Sequence, residues 1–335
     1  MELVFELSKE HSSLPKDEII SCLKAEGFVY SIVDANETVL IVESKIKHSD
    51  VQKLAQRLSF TFYIDEFLFS CSNSLSEIQK YASKHMINRK GTIAIRCKNR
   101  SQNADSQQIV ETLGDIYTKD RSVDLSNPDI EMRIILTDTH LYVGLKIAEI
   151  KRTLFEKRKV QHRPFFSPIS LHPKLARALV NLSVIKKGET LLDPFCGTGG
   201  ILLEAGLVGA HVVGSDIEEK MINGCKKTLE FYDVKEYELF CSDIGDIHQH
   251  VSSVDAVVTD LPYGKSTTTK GEDIQVLYNR AFQSISKILK NDGLAVIGLS
   301  NVDMISDGER YFTLIDTYEF KVHRSMTRYF TVYKK

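Results

Sequence analysis

Apolar residues in the first 70 positions form short alternating runs, and between those runs they recur every three to four residues. The runs ELVFEL, FVYSIVD, TVLIVES and FTFYIDEFLFS predict strands; KDEIISCLKAEG, behind Pro15, and DVQKLAQRL predict helices. The order βαββαβ is that of a ferredoxin-like unit, an antiparallel sheet with both helices on one face. Nothing in residues 1–70 carries chemistry. From 71 to 150 the pieces change. Helical SLSEIQKYASKHM precedes a strand GTIAIRCKNR, a helix around DSQQIVETLGDIYTK follows, and IEMRIILTD and HLYVGLKIAEI predict a hairpin, so that 71–150 reads as a second α+β domain.

Periodicity breaks over residues 151–164, KRTLFEKRKVQHRP, which predict a basic linker. Beyond it strands and helices alternate. LHPKLARALVNL is helical, ETLLDPF, HVVGSDI, YELFCSD and DAVVTDLPY are strands, and GILLEAGLVG and EEKMINGCKKTLEFY are helices between the first three of them. A long helix around IQVLYNRAFQSISKILK then leads to GLAVIGLSN and two last strand-like runs, YFTLIDTYEFKV and RYFTVYKK. Short apolar strands each followed by a helix predict a mostly parallel sheet with helices on both faces. Right-handed crossovers place the strand ends on one edge, where such sheets bind ligands. The fold class is α/β, with two small α+β domains ahead of a Rossmann-like domain at 165–335.

Composition narrows this only slightly. The 335 residues are 42% hydrophobic and 26% charged with a formal net charge of -2, ordinary values for a multidomain globular chain, so any basic surface must be local. No apolar run approaches the roughly 18 residues of a membrane span, and MELVFELSKEH lacks the pattern of a signal peptide, which predicts a cytoplasmic protein without membrane contact. Six cysteines, at 22, 71, 97, 196, 225 and 241, contain no C-x-x-C pair and predict neither a zinc site nor a disulfide framework.

Candidate chemistry lies in the last domain. ETLLDPF runs into a turn with glycines at 197, 199 and 200 and then into a helix, a geometry that brings backbone close to a ligand at a helix start. Such a turn also suits a nicotinamide dinucleotide, and acid placement separates the two. Asp193, Asp216 and Asp243 end three consecutive strands, and carboxylates gathered on one edge repel each other unless a ligand uses them. S-adenosyl-L-methionine would: Asp216 accepts the ribose hydroxyls, Asp243 meets the adenine amine and Asp193 the ammonium. A dinucleotide would put a pyrophosphate where Asp193 stands.

The next strand ends in Asp260-Leu261-Pro262-Tyr263-Gly264. A nucleobase amine is a poor nucleophile because its lone pair is delocalised into the ring. A carboxylate, Asp260, and a carbonyl, that of Leu261, can accept its two hydrogens and draw the nitrogen toward a tetrahedral shape, while the Tyr263 ring stacks on the base. Pro262 fixes the turn that aims the carbonyl. The methyl passes in line to the amine, with proximity supplying much of the rate.

These residues carry a resemblance. The C-terminal half is similar to class I amino-methyltransferases, whose motif is Asp, Asn or Ser, then usually Pro, then Pro and an aromatic; here Leu261 replaces the first Pro. The whole chain resembles the archaeal tRNA guanine-10 N2-methyltransferase family in GTIAIRCKNR, VDLSNPDIEMRIIL, LYVGLKIAEI, RPFFSPISLHPKLARALVNL, DPFCGTGGILLEAGLVGA and DLPYGKSTTTKGE. The resemblance implies methylation of guanine 10 in tRNA to N2-methyl- and N2,N2-dimethylguanosine. It adds Cys196, Gly197, Thr198, Gly199, Ile217, Ile244 and Asp260 to the cofactor site, together with His172 and Pro173 over the methionine end. It implies that 71–150 is a THUMP domain gripping the 3′ CCA end of tRNA, with Arg96, Lys98, Arg100, Lys151, Arg152, Lys157 and Arg158 as phosphate contacts. A small zinc-binding activator protein, covering exposed apolar residues near HVVGSDI, is a further implied partner. The polar loop KSTTTKGED suits a lid over a flipped base.

Alternatives remain at this stage: the same chemistry on another RNA or on an adenine amine, an RNA-binding protein with a silent methyltransferase fold, or an ordinary β-turn at Asp260–Tyr263.

Overall fold

The structure is a computed structural model and describes residues 1–167, 170–263, 272–323 and 326–335. The chain divides into two compact units, Met1–Lys16 with Phe28–Gln56 and Phe60–Ile150, and Asp17–Gly27 with Arg57–Ser59 and Lys151–Lys335.

The elements of the N-terminal half follow the sequence pattern: β1 (Glu2–Leu7), α1 (Leu14–Ala25), β2 (Tyr30–Ala35), β3 (Val39–Ser44), α2 (His48–Arg57), β4 (Thr61–Ser72), α3 (Leu75–Lys84), β5 (Ile93–Asn99), α4 (Ser106–Tyr117), β6 (Ile130–Leu136) and β7 (His140–Glu149). The expected hairpin forms, with Ile134 opposite Val143. The boundary expected at residue 70 falls inside a strand. Twelve-residue β4 pairs with β1 on one edge and along β7 on the other, giving one seven-stranded sheet in the order β2-β3-β1-β4-β7-β6-β5. α3 and α4 bury Ile78, Ala82, Ile109, Leu113 and Tyr117 against β5, β6 and β7, and the Asp105 carboxylate caps α4 by accepting from Gln107 and Gln108 N–H at 3.0 and 3.2 Å.

The segment expected as a linker holds a short helix, α5 (Thr153–Lys157), and a 3-10 turn. Phe155 is the reason: it is buried, and the guanidinium of Arg158 lies over its ring at 4.8 Å. Then come α6 (Pro173–Leu182), β8 (Thr190–Asp193), α7 (Gly200–Leu207), β9 (His211–Asp216), α8 (Glu219–Phe231), β10 (Tyr237–Cys241), β11 (Val254–Asp260), α9 (Ile274–Ile288), β12 (Leu289–Leu299), α10 (Ile305–Glu309), β13 (Thr313–His323) and β14 (Met326–Lys334). The sheet order β10-β9-β8-β11-β12-β14-β13 is parallel from β10 to β12 and antiparallel at β14 and β13. β8 and β11, adjacent at the centre, mark where the strand order reverses, and their carboxyl ends therefore open the crevice in which ligands bind.

Within this second unit a buried polar knot replaces apolar packing. The Asn181 amide donates to Glu18 Oε1 at 2.8 Å and to the Arg57 carbonyl at 3.0 Å, and its oxygen accepts from Arg57 Nε at 3.1 Å, all with side chains under 5% exposed. Asn181→Ala strips a partner from two buried charges, and urea unfolding should show a loss of about 3 kcal/mol.

Candidate active site

β8 ends at Asp193, and the chain turns through Pro194–Gly199 into α7. Gly197 and Gly199 have φ of 48° and 79°, left-handed values that strain any residue with a Cβ. A Cβ on Gly199 would in addition stand 2.6 Å from Cys225 Sγ of α8, whereas one on Gly197 meets nothing within 4 Å, so the backbone there faces open space. The glycines serve conformation at both positions and close helix packing at the second.

Three strand ends converge around that space. Asp193 is 1% exposed; its Oδ1 accepts from Thr259 Oγ1 at 2.7 Å and Phe195 N–H at 3.2 Å, and Oδ2 has no bond among the described residues. Burial, reinforced by the charges of Asp260 and Asp216 and only partly offset by those two hydrogen bonds, pushes its carboxyl up to about 7. Asp216 accepts the Gly197 N–H at 3.0 Å and the Glu218 N–H at 2.9 Å, which ties the end of β9 to the glycine turn, and burial raises its pKa. Asp243 follows β10 and caps the next 3-10 turn through Gly245 N–H at 2.8 Å; Arg280 of α9 pairs with the same Oδ1 and, at 2.7 Å, with Glu272.

β11 ends at Asp260. The Tyr263 hydroxyl donates to Asp260 Oδ1, Arg328 Nη1 of β14 lies 3.3 Å from Oδ2, and the Arg328 guanidinium covers the Tyr263 ring at 4.5 Å. Burial raises the Asp260 pKa, with Arg328 pulling it back down, and burial raises that of Tyr263. The turn is held from behind: Tyr278 donates to the Pro262 carbonyl at 3.0 Å, Leu261 N–H reaches the Gly298 carbonyl at 3.0 Å, and the Leu261 side chain is fully buried. Gly298 opposes Asp260 on β12, where any Cβ would collide with the carboxylate.

Asp193, Cys196, Gly197, Thr198, Asp216, Ile217, Asp243, Ile244, Asp260, Leu261, Pro262 and Tyr263 all line one cavity of about 320 Å³, and Gly199 lies just behind it. His172 and Pro173 do not. His172 Nδ1 accepts from the Lys174 N–H at 3.2 Å, capping α6, its Nε2 lies 3.2 Å from Glu156, and burial lowers its pKa. Their neighbours Ser170 and Leu171 line the cavity instead. Phe195, Glu218, Met221 and Leu277 also line it; Glu218 and Met221 follow a strand-ending acid closely enough to have been sought there, whereas nothing local marks Leu277. Gly264 and the loop Lys265–Gly271 lie outside the described residues.

Two of the seven basic candidates are engaged inside the protein. Arg100 is largely buried, donating to Glu6 Oε1 at 2.6 Å and to the Leu7 carbonyl at 3.2 Å, and Arg158 forks onto Glu204 at 2.7 and 3.0 Å. Each neutralises a buried glutamate, which leaves no charge for a phosphate. Arg96 is half-exposed and bonded to the Leu125 carbonyl at 2.6 Å, Arg152 is half-buried, and Lys98, Lys151 and Lys157 are exposed. In HVVGSDI, Val212 and Val213 are buried within β9, which is flanked by β8 and β10, and Ile217 at its end is 36% exposed.

The residues suit S-adenosylmethionine. The turn fronts open space at Gly197, a buried carboxylate on the preceding strand keeps one oxygen unbonded among the described residues, and a further acid ends the neighbouring strand. A parallel sheet with this edge, followed by Asp-Leu-Pro-Tyr, defines a class I methyltransferase of the amino-methylating kind. Residues 161–329 match a family described as RMKL-like, methyltransferase domain, and residues 21–227 match one described as DNA methylase, a span that ends before Asp260. A tRNA (guanine(10)-N2)-dimethyltransferase of Methanothermobacter thermautotrophicus is 33% identical over 341 residues, covering 100% of both chains. A protein of the same description from Pyrococcus abyssi is 38% identical over 248 residues, 72% of this chain and 74% of its own. The crystal structure of TrmN from Thermus thermophilus, 18% identical, covers 100% of both chains with a TM-score of 0.57 and speaks to the fold alone. The chain belongs to the archaeal tRNA guanine-10 N2-methyltransferase family.

Proposed function

We infer that this protein transfers methyl groups from S-adenosylmethionine to the exocyclic N2 of guanine 10 in tRNA, giving N2-methyl- and N2,N2-dimethylguanosine. The observation that carries this is the placement of Asp260-Leu261-Pro262-Tyr263 in the wall of the same cavity as the glycine turn, Asp193 and Asp216, in a chain that aligns end to end with its relative. The cofactor supplies an electrophilic methyl on a sulfonium. Asp193 would hold the ammonium through Oδ2, Asp216 the ribose hydroxyls and Asp243, through Oδ2, the adenine amine. Asp260 accepts hydrogen from the target amine and the Leu261 carbonyl accepts the other, so that the nitrogen lone pair points at the incoming carbon. Asp260 is also placed to take the proton released afterwards.

Residues 71–150 would be the THUMP domain, gripping the CCA end with Arg96, Lys98, Lys151, Arg152 and Lys157 as phosphate contacts. No helix among the described residues is long and apolar enough to cross a membrane, and the reaction belongs in the cytoplasm, where tRNA is its partner. A small zinc-binding activator, if one is used, would add along β10, the edge strand of the second sheet.

The test is incubation with methyl-labelled S-adenosylmethionine and a tRNA transcript carrying G at position 10, beside one carrying A. Label recovered as N2-methyl- and N2,N2-dimethylguanosine from the G10 transcript alone is expected. Label in both transcripts, or in neither with cofactor bound and the activator added, sinks the assignment.

A further inference from the structure

The guanidinium of Arg328 stands where nothing in the sequence placed a functional group. It enters on β14, opposite Phe320 of β13 and one residue beyond Tyr329, the last β14 partner of β12. Its side chain is 12% exposed. Nη1 is 3.3 Å from Asp260 Oδ2, the guanidinium lies over the Tyr263 ring at 4.5 Å, and Nε, buried, has no hydrogen-bond partner among the described residues. Arg328 touches Asp260 and Tyr263, which line the cofactor cavity, and is not itself among the residues lining it. Its guanidinium thus lies against the two residues that the target base must meet, the carboxylate and the ring.

We propose that Arg328 and Asp260 together read the Watson–Crick edge of the target guanine, Asp260 accepting from N1–H and N2–H while Arg328 donates to O6. This deepens the function proposed above and rests on it. The argument is one of pattern. Guanine presents acceptor, donor, donor along that edge, and the partner it pairs with in a duplex, cytosine, presents donor, acceptor, acceptor. An arginine N–H beside a carboxylate has the same sequence of groups: Arg328 gives the donor, and the two oxygens of Asp260 give the acceptors. A flipped base is read in this way, by its pairing edge and by stacking. Adenine offers an amine at position 6, which faces the guanidinium donor to donor, and it has no 2-amine to be methylated.

The present position of Arg328 fits the role. The guanidinium lies over the Tyr263 ring, a cation–π contact. A base that stacks on the same face takes over that surface, and the guanidinium exchanges the ring for O6 while keeping Asp260 beside it. The exchange conserves its partners, so it costs little for guanine and is uncompensated for a base without an acceptor at position 6. Arginine is also the residue suited to the task, being charged at every relevant pH and planar.

The experiment uses tRNA ligated with a single altered nucleoside at position 10, guanosine or 6-thioguanosine. The thio base keeps N1–H and the 2-amine and replaces O6 by sulfur, a weaker acceptor. Methyl transfer is measured as kcat/KM for the wild type and for Arg328→Met, which keeps an apolar stem against Tyr263. The wild type should prefer guanine by about 10-fold, the size of one lost charge-assisted hydrogen bond. Arg328→Met should lose about 10- to 100-fold on guanine and treat the two bases alike within about two-fold. An equal loss on both bases, with the preference intact, is what a structural role would give and overturns the proposal; so does a wild type indifferent to the sulfur. If calorimetry finds that Arg328→Met no longer binds cofactor, the wild-type ratio decides alone. A wild type that methylates neither tRNA refutes the guanine-10 assignment itself, and the proposal with it.

Discussion

Asp260→Ala is expected to lower methyl transfer about 1,000-fold, within the range a positioned carboxylate contributes, while leaving cofactor affinity within about three-fold. The variant removes the acceptor that draws the amine hydrogen away, and Asp193, Asp216 and the glycine turn are untouched. Calorimetry with S-adenosylmethionine checks the second half and single-turnover transfer the first. The pH dependence adds a sign. Transfer needs the Asp260 carboxylate, and burial places its pKa above that of an ordinary aspartate. Activity is therefore lost as pH falls through that raised value, and the residual activity of Asp260→Ala should lack this acidic limb. A fall of less than about ten-fold would mean that the Leu261 carbonyl and proximity suffice.

The second large effect concerns Asp193. Its carboxyl is held at about 7 by burial and by the neighbouring acids, against an ordinary value of about 3.9. A carboxyl whose pKa is raised in the folded state favours folding in its protonated form. Its contribution is most favourable below about pH 4 and is lost as pH rises toward 7. A cationic ligand reverses the preference and draws the proton off. Binding of S-adenosylmethionine near pH 6.5 should release up to one proton, seen as a dependence of the calorimetric heat on the ionisation enthalpy of the buffer. Asp193→Asn should abolish that release and weaken binding about 10- to 100-fold, the worth of a hydrogen bond to a charged group. Proton release that persists in the variant would assign it to Asp216, whose pKa burial also raises.

Periodicity identified nearly every strand and helix because each has one face in a core. Ile93 and Ile134, or Val257 and Ile297, are buried by neighbours that alternation alone implies. Where burial is polar or aromatic, local pattern says little. The basic stretch after residue 150 was expected as a linker because its charges dominate, yet one phenylalanine and the Arg158–Glu204 pair organise it. Arg100 and Arg158 looked like surface cations since their partners, Glu6 and Glu204, are distant in sequence. The strand-end acids were legible because strand ends in a parallel sheet share an edge. Arg328 was not, because its relation to Asp260 passes through β12, a strand that belongs to neither residue. His172 was misplaced for a local reason: its ring turns back to cap α6, and the two residues before it face the cavity.

β14 sits between β12 and β13 although it follows both in the chain. A ribosome therefore delivers the strands holding Asp193, Asp216 and Asp260 before the strand that supplies Arg328. The strands of the cofactor edge are all made before β14, whereas Arg328 reaches Asp260 only when β14 inserts between two strands already made. Formation of the cofactor edge is in this way separated in time from the entry of Arg328.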